Sequence, residues 1–168
     1  MTTLYTASIP VFKQMLSALS DVLTIAEAHA TDKKIDPNVL LQSRLFPDMF
    51  PLIRQVQIAT DFAKSVPSRL AGIEVSAYDD TEQSFAELQT RIKNTLTILE
   101  GFTSTQINDK ETLEIVLRAG TPKEKKLTGE TYLFNYGLPQ FFFHVTTAYA
   151  ILRHNGIEVG KRDFMGAY

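Results

Sequence analysis

"PQFFFHVTTAYAILRHNG", residues 139–156, carries Phe141, Phe142, Phe143, Val145, Ala148, Tyr149, Ile151 and Leu152 in one run that closes on a glycine. A strand of eighteen residues would be exceptional, whereas an α-helix of this length is ordinary, with Gly137 and Pro139 at its start and Gly156 just past its end. Because the apolar side chains surround the helix, it must be covered on several sides, by partner helices or by a second subunit.

The same stretch holds two of the chain's three histidines, His144 and His154. Ten residues apart on a continuous helix, they point roughly 80° apart and sit ~15 Å apart in height. One metal ion holds imidazoles at about 2 Å, so these two cannot share one. The residue that shares a face with His144 is Gln140, one turn earlier, and Thr147 and Ile151 continue that face. His154 lies in the last turn, where a basic ring suits the negative helix end; His29, near the end of the first helix, reads the same way.

Working outward, three more long helices precede this one. Phe12, Met15, Leu16, Leu19, Val22, Leu23 and Ala26 recur at three- and four-residue steps from Pro10 to about Ala30, with Ser8 as a candidate cap. A short apolar piece, Val39 to Leu45, bridges to "PDMFPLIRQVQIATDFAKSVPSRLAG". There Asp48 is the candidate N-cap, Pro51 falls in the first turn, Pro67 bends or interrupts the end and Gly72 marks the stop. In the third helix Phe85, Leu88, Ile92, Leu96 and Leu99 form a stripe ended by Gly101, and Asp79 with Glu82 has capping-box spacing. The period then changes: Leu113, Ile115 and Leu117 alternate with Glu114, Val116 and Arg118. This predicts a strand, a charged turn at "KEKK" (123–126) and a return strand in "LTGETYLFNYG". The expected fold is all-α: a four-helix bundle, single domain over 1–168, with a small β-hairpin in a crossover between helices three and four.

Composition narrows the function. The 168 residues contain no cysteine, which excludes disulfides, thiolate catalysis and cysteine-ligated metals. A net charge of −2 gives no general attraction to nucleic acid or to a membrane surface. No basic leader precedes a long apolar run, and no stretch approaches the ~18 apolar residues of a bilayer span, so a cytoplasmic protein is expected. There is no P-loop, no nucleophile elbow and no carboxylate pair at a defined spacing. Lys161 and Arg162 in "GIEVGKRDFMGAY" are read as part of a solvated tail, or one docked on a neighbouring subunit.

These features resemble the DinB/YfiT-like four-helix-bundle superfamily. Its best-known members are metal-dependent thiol transferases, and its last helix typically reads H-x-x-x-H-R-G-Q, followed by L-R and a glycine. Aligning "LRHNG" (152–156) with that ending sets the family's second histidine on His144 and its first on Gln140. The remaining family histidine, on helix two, falls on Gln55, with Gln57 as the other candidate. The stretches "PDMFPLIRQVQ", "RLAG", "FHVTTAYAILRHNG" and "GKRDFMG" resemble an uncharacterised branch of the superfamily.

One imidazole and two amides make a poor transition-metal site, since an amide oxygen is a weak, uncharged ligand. The expectation is a degenerate metal site: a polar pocket inside the bundle formed by His144, Gln140 and Gln55, with Gln57, Asp61 and Tyr149 as further candidates. His144 is the one metal ligand to be expected if a metal is bound. No cofactor is expected, a divalent transition metal (zinc, nickel or iron) being the alternative. The expected partners are an unknown small molecule and a second copy of the chain in a homodimer. The resemblance implies a different reading, a metal-dependent transferase acting with an external thiol. A structural homodimer without a ligand is the third.

Overall fold

The computed structural model describes residues 2–168. In chain order these form α1 (Ile9–Lys33), α2 (Pro37–Leu41), α3 (Leu52–Leu70), α4 (Phe85–Glu100), α5 (Ser104–Ile107), the strands β1 (Glu114–Leu117) and β2 (Lys125–Thr128), and α6 (Gly129–Thr131). A π-helical turn (Tyr132–Gly137), α7 (Leu138–His154) and α8 (Lys161–Met165) follow. The four long helices, α1, α3, α4 and α7, make the bundle. Phe12 of α1 meets Phe141 of α7 edge to face at 4.8 Å, and around them Leu16, Leu23, Leu52, Leu70, Leu88, Ile92 and Leu99 are fully buried.

Side-chain pairs fix the helix directions. Lys13 reaches Glu100 at 3.5 Å and the Ser20 hydroxyl donates to Gln89, so α1 and α4 are antiparallel. Gln55 meets His144 while Val66 lies beside Gly137, so α3 and α7 are antiparallel too. The end of α4 lies near the start of α1, and Lys110 just beyond it packs with Leu70 around Gly129. The helices α3 and α4 therefore run the same way, and the order is up, down, down, up.

This direction corrects the expected topology: the crossover is not the hairpin segment. After α3 the chain must return the length of the bundle before α4 can begin. A 19-residue helix is roughly 28 Å long at ~1.5 Å per residue. Residues 72–83 form no regular element and extended chain reaches roughly 3.3 Å per residue, enough to cover that span as a strap. The hairpin joins α4 to α7 at one end of the bundle, with Glu114 opposite Thr128 and Leu117 opposite Lys125.

Other boundaries differ for local reasons. The return strand stops at Thr128, whose hydroxyl accepts the Thr131 N–H and opens a helical turn. "GETYLFNYG" is therefore helical and runs through the π turn into α7, because burying Tyr132 and Leu133 outweighs their strand preference. The π turn can approach α3 only because residue 137 is glycine: a Cβ there would lie 2.7 Å from Val66 Cγ2. The helix α3 starts at Leu52 with Pro51, not Asp48, at its cap, and it runs through Pro67 to Leu70 without interruption. Ser8 holds the cap position of α1, but its hydroxyl donates to the Leu4 carbonyl at 2.6 Å instead. The cap of α4 is Ser84 with Glu87, which frees Asp79 and Glu82 from that role.

Gly156 ends α7 as expected. At φ +86° it lets its own N–H reach the Arg153 carbonyl and the Ile157 N–H reach Leu152. The tail then docks on the chain's own α1: Gln14 donates to the Met165 carbonyl at 2.9 Å, and Phe164 packs edge to face on Tyr149 at 5.5 Å. Lys161 and Arg162 remain exposed at the start of α8. An 18-residue window of α1 reaches a mean hydropathy of 1.2, enough by length and composition for a bilayer span, yet half of it is buried inside the bundle.

Candidate functional site

His144 is buried on α7 and faces Gln55 on α3, with Nδ1 2.7 Å from Oε1. The geometry fixes the proton. Gln55 Nε2 donates to the Phe50 carbonyl at 3.0 Å, so its oxygen is the atom turned to the ring. A carbonyl oxygen only accepts, so Nδ1 carries the hydrogen and donates it. In the neutral ring, Nε2 then holds the free lone pair. Burial, helped by the positive charge of Arg54, lowers the His144 pKa to about 4, so the ring is neutral at physiological pH. Phe62 stacks on it at 6.1 Å and Phe143 meets it edge-on at 5.1 Å.

Of the other candidates, Gln140 is half-buried and makes no hydrogen bond to His144. It opens instead onto a surface cleft, with Asn135, Tyr136, Pro139 and Phe143. The π turn delivers Tyr136 into that cleft, where its ring lies 5.9 Å from Phe62. A neighbouring cavity of about 190 Å³ is lined by Asp61, Phe62, Ser65, Arg69, Leu117, Arg118 and Tyr136. His144 and Gln55 thus lie behind the aromatic wall of the cleft, not in it. Tyr149 belongs elsewhere, its hydroxyl donating to the Val159 carbonyl at 3.4 Å beneath the tail. His154 is exposed in the last turn of α7. Among the described residues no three His, Asp or Glu side chains converge closely enough to hold a metal ion.

Gln57 and Asp61 join a second constellation that the sequence reading missed. Arg91 of α4 is buried, and all five of its N–H directions face oxygen. Nε donates to Thr60 Oγ1 at 2.7 Å, and one terminal nitrogen faces the Gln57 carbonyl at 3.2 Å and Asp61 at 2.9 Å. The other faces Asp80 at 2.8 Å and Glu82 at 2.9 Å. The Gln57 side chain donates to Glu82 at 2.8 Å, and Arg54 pairs with Asp80. Asp80 adopts φ +54°, a conformation uncommon outside glycine.

Burial opposes the charge on Asp80 and Glu82, but the bonds to Arg54, Arg91 and Gln57 outweigh it and hold both carboxyls below their ordinary range. For Arg91 burial likewise favours the neutral form and the carboxylates overcome it. Lys64 is the unusual member. Its ammonium is buried, 3.2 Å from Asp61 Oδ1 but without hydrogen-bond alignment, and 3.2 Å from the centre of the Tyr78 ring. Burial pushes its pKa down. Tyr78 covers Arg91 as well, at 4.4 Å, and its hydroxyl meets Thr95 at 3.1 Å.

A signal for this cluster was present. Arg91 and Thr95 stand on the apolar stripe of α4, three and seven residues after Leu88, where a charge needs buried partners. The acidic run 79–82 that supplies those partners reads as a helix cap until the direction of the strap is known.

The fold agrees with the similarities of the chain to known proteins. The sequence matches DUF1993, a domain of unknown function, over residues 4–165. The chain belongs to the DUF1993 family. The crystal structure of a DinB family member from Shewanella denitrificans superposes with a TM-score of 0.92 at 45% identity, covering 98% of this chain and 93% of that one. No curated protein matches. A DUF1993 chain is therefore a DinB-like helical bundle, and its up-down-down-up order is what sets His144 opposite Gln55.

Proposed function

We propose that this DUF1993 protein is a cytoplasmic, homodimeric small-molecule-binding bundle in which the metal position of the DinB-like fold has become a hydrogen-bonded His144–Gln55 pair. The single observation that carries this reading is the 2.7 Å contact between His144 Nδ1 and Gln55 Oε1. A second imidazole in place of Gln55 would offer a metal a lone pair on a bare ring nitrogen. Gln55 offers only an uncharged amide oxygen, which already accepts the His144 Nδ1–H while its Nε2 is tied to the Phe50 carbonyl. The Nε2 lone pair of His144 is the one nitrogen donor left.

The donor set does not fit a transition-metal centre: one neutral imidazole nitrogen, aromatic rings on two sides and, among the described residues, no cluster of His, Asp or Glu to complete it. The ligand site is the adjoining cleft, whose walls are Phe62, Tyr136, Gln140 and Phe143. Apolar walls with a few fixed polar groups are the usual make-up of small-molecule sites. The His144–Gln55 bond holds one wall in place through the ring stacked on His144. The homodimer is supported by the exposed rings of Phe46, Phe50 and Phe143, which are 64%, 55% and 55% exposed.

Thermal unfolding with added zinc, nickel or iron(II) tests the reading. The expected result is no rise in Tm that depends on His144. A rise of several degrees that vanishes in His144→Ala would instead favour the metal-dependent transferase.

A further inference from the structure

Four cations stand around the cleft without a carboxylate partner. Arg69 and Arg118 line the cavity of about 190 Å³. Arg118, Lys123 and Lys125 line an adjoining one of about 150 Å³, and Leu117, Arg118 and Tyr136 belong to both. Among the described residues none of the four makes an ion pair. In a chain of net charge −2 this is a local excess of positive charge over a concave surface, which focuses potential into the cleft.

The nearby acids do not cancel it. Asp61 already faces Arg91 and Lys64, and the Glu124 carboxylate accepts the Gly120 N–H at 2.7 Å within the hairpin turn. Two of the cations are also placed by their surroundings. Arg69 donates one N–H to the hydroxyl of fully buried Tyr132 at 3.1 Å, which leaves the rest of its fork free. Arg118 is held at φ +53°, a backbone conformation that non-glycine residues seldom adopt and that tends to mark functional positions. Beside them the edge-to-face rings of Phe62 and Tyr136 offer an apolar surface. The cavity of about 190 Å³ that Arg69 and Arg118 share is below the ~300–1,000 Å³ of drug-sized sites, so the ligand is metabolite-sized.

We propose that this cleft binds a small organic anion, its carboxylate or phosphate group between Arg69 and Arg118 and its planar apolar body against Phe62 and Tyr136. The inference rests on the small-molecule reading above and adds the sign of the ligand's charge.

Titration of the full-length protein at low ionic strength with benzoate, phenyl phosphate and neutral benzamide, followed by NMR chemical-shift changes, tests it. At least one of the anions should bind saturably and at least tenfold more tightly than benzamide, and the tighter of the two identifies the charged group. Arg118→Gln, at an exposed position, should weaken the anion at least fivefold with Tm unchanged. Lys33→Gln, at the opposite end of the bundle, should have no effect. If benzamide binds as tightly as the anions and Arg118→Gln changes nothing, the cleft is a small-molecule site without charge selection and this inference is overturned alone. If none of the three compounds shifts any resonance in the cleft, the small-molecule reading falls with it.

Discussion

At the scale of single residues, His144 makes a prediction whose sign can be worked out. In the folded chain its pKa is lowered to about 4, while unfolded it returns to roughly 6.5. Between those values the unfolded chain binds more protons, so stability falls as the pH is lowered from neutral and the loss is complete near pH 4. The full difference corresponds to at most about 3–4 kcal/mol, less where water reaches the ring. Urea unfolding at pH 7.5 and pH 5 should show this loss in the native protein and a flatter profile in His144→Gln. Identical profiles would mean that His144 is not held neutral by its surroundings. Asp80 and Glu82, whose folded pKa values are lowered, act in a different window: their contribution is present above the ordinary carboxylate range and is lost only at more acid pH.

His144 was legible in the sequence because helix geometry separates it from His154. Gln55 was legible through the family pattern. The expected contact with Gln140 was not made, since one helical turn brings two residues to one face without turning their side chains to each other. Arg91 and Lys64 were missed because Tyr78, Asp80 and Glu82, which cover and bind them from the far side, lie on the strap, and no periodicity describes an irregular segment.

At the scale of elements, the strap and the π turn matter most. Residues 72–83 make few backbone hydrogen bonds of their own and are held by what their side chains grip on α3 and α4. Tyr78 is the central fastening, covering both the Lys64 ammonium and the Arg91 guanidinium. Tyr78→Ala should therefore loosen the strap without unfolding the bundle, at a cost of about 1–2 kcal/mol. Limited proteolysis should cut faster across 73–83, and Lys64 should become open to acylation. If neither changes, the carboxylate contacts alone hold the strap. The four long helices were readable from their apolar stripes, but their directions were not. Stripes give the buried face of a helix, whereas the up-down-down-up order depends on whether a connection crosses the bundle. The helical start of α6 and the π turn escaped for another reason: burying Tyr132 and Leu133 decides the state of "TYLFNYG", and burial is a property of the whole fold.

At the scale of the whole molecule, the DUF1993 chain combines a DinB-like frame with two polar constellations of opposite character. The Arg91 cluster sets Arg54, Lys64 and Arg91 against Asp61, Asp80 and Glu82, three charges of each sign, and fastens the crossover to the bundle. The His144–Gln55 pair is neutral and stands behind the aromatic wall of a cleft rimmed by cations. The exposed rings of Phe46, Phe50 and Phe143 predict that the 18.9 kDa chain pairs in solution, and light scattering at micromolar concentration should give twice that mass. A monomer there would remove the dimer and leave Phe143 to the cleft wall alone. The proposed loss of metal chemistry at the His144–Gln55 pair is tested most directly by elemental analysis of untagged protein purified without chelator. The expected result is no stoichiometric zinc, nickel or iron, and one equivalent of any of them that disappears in His144→Ala would contradict it.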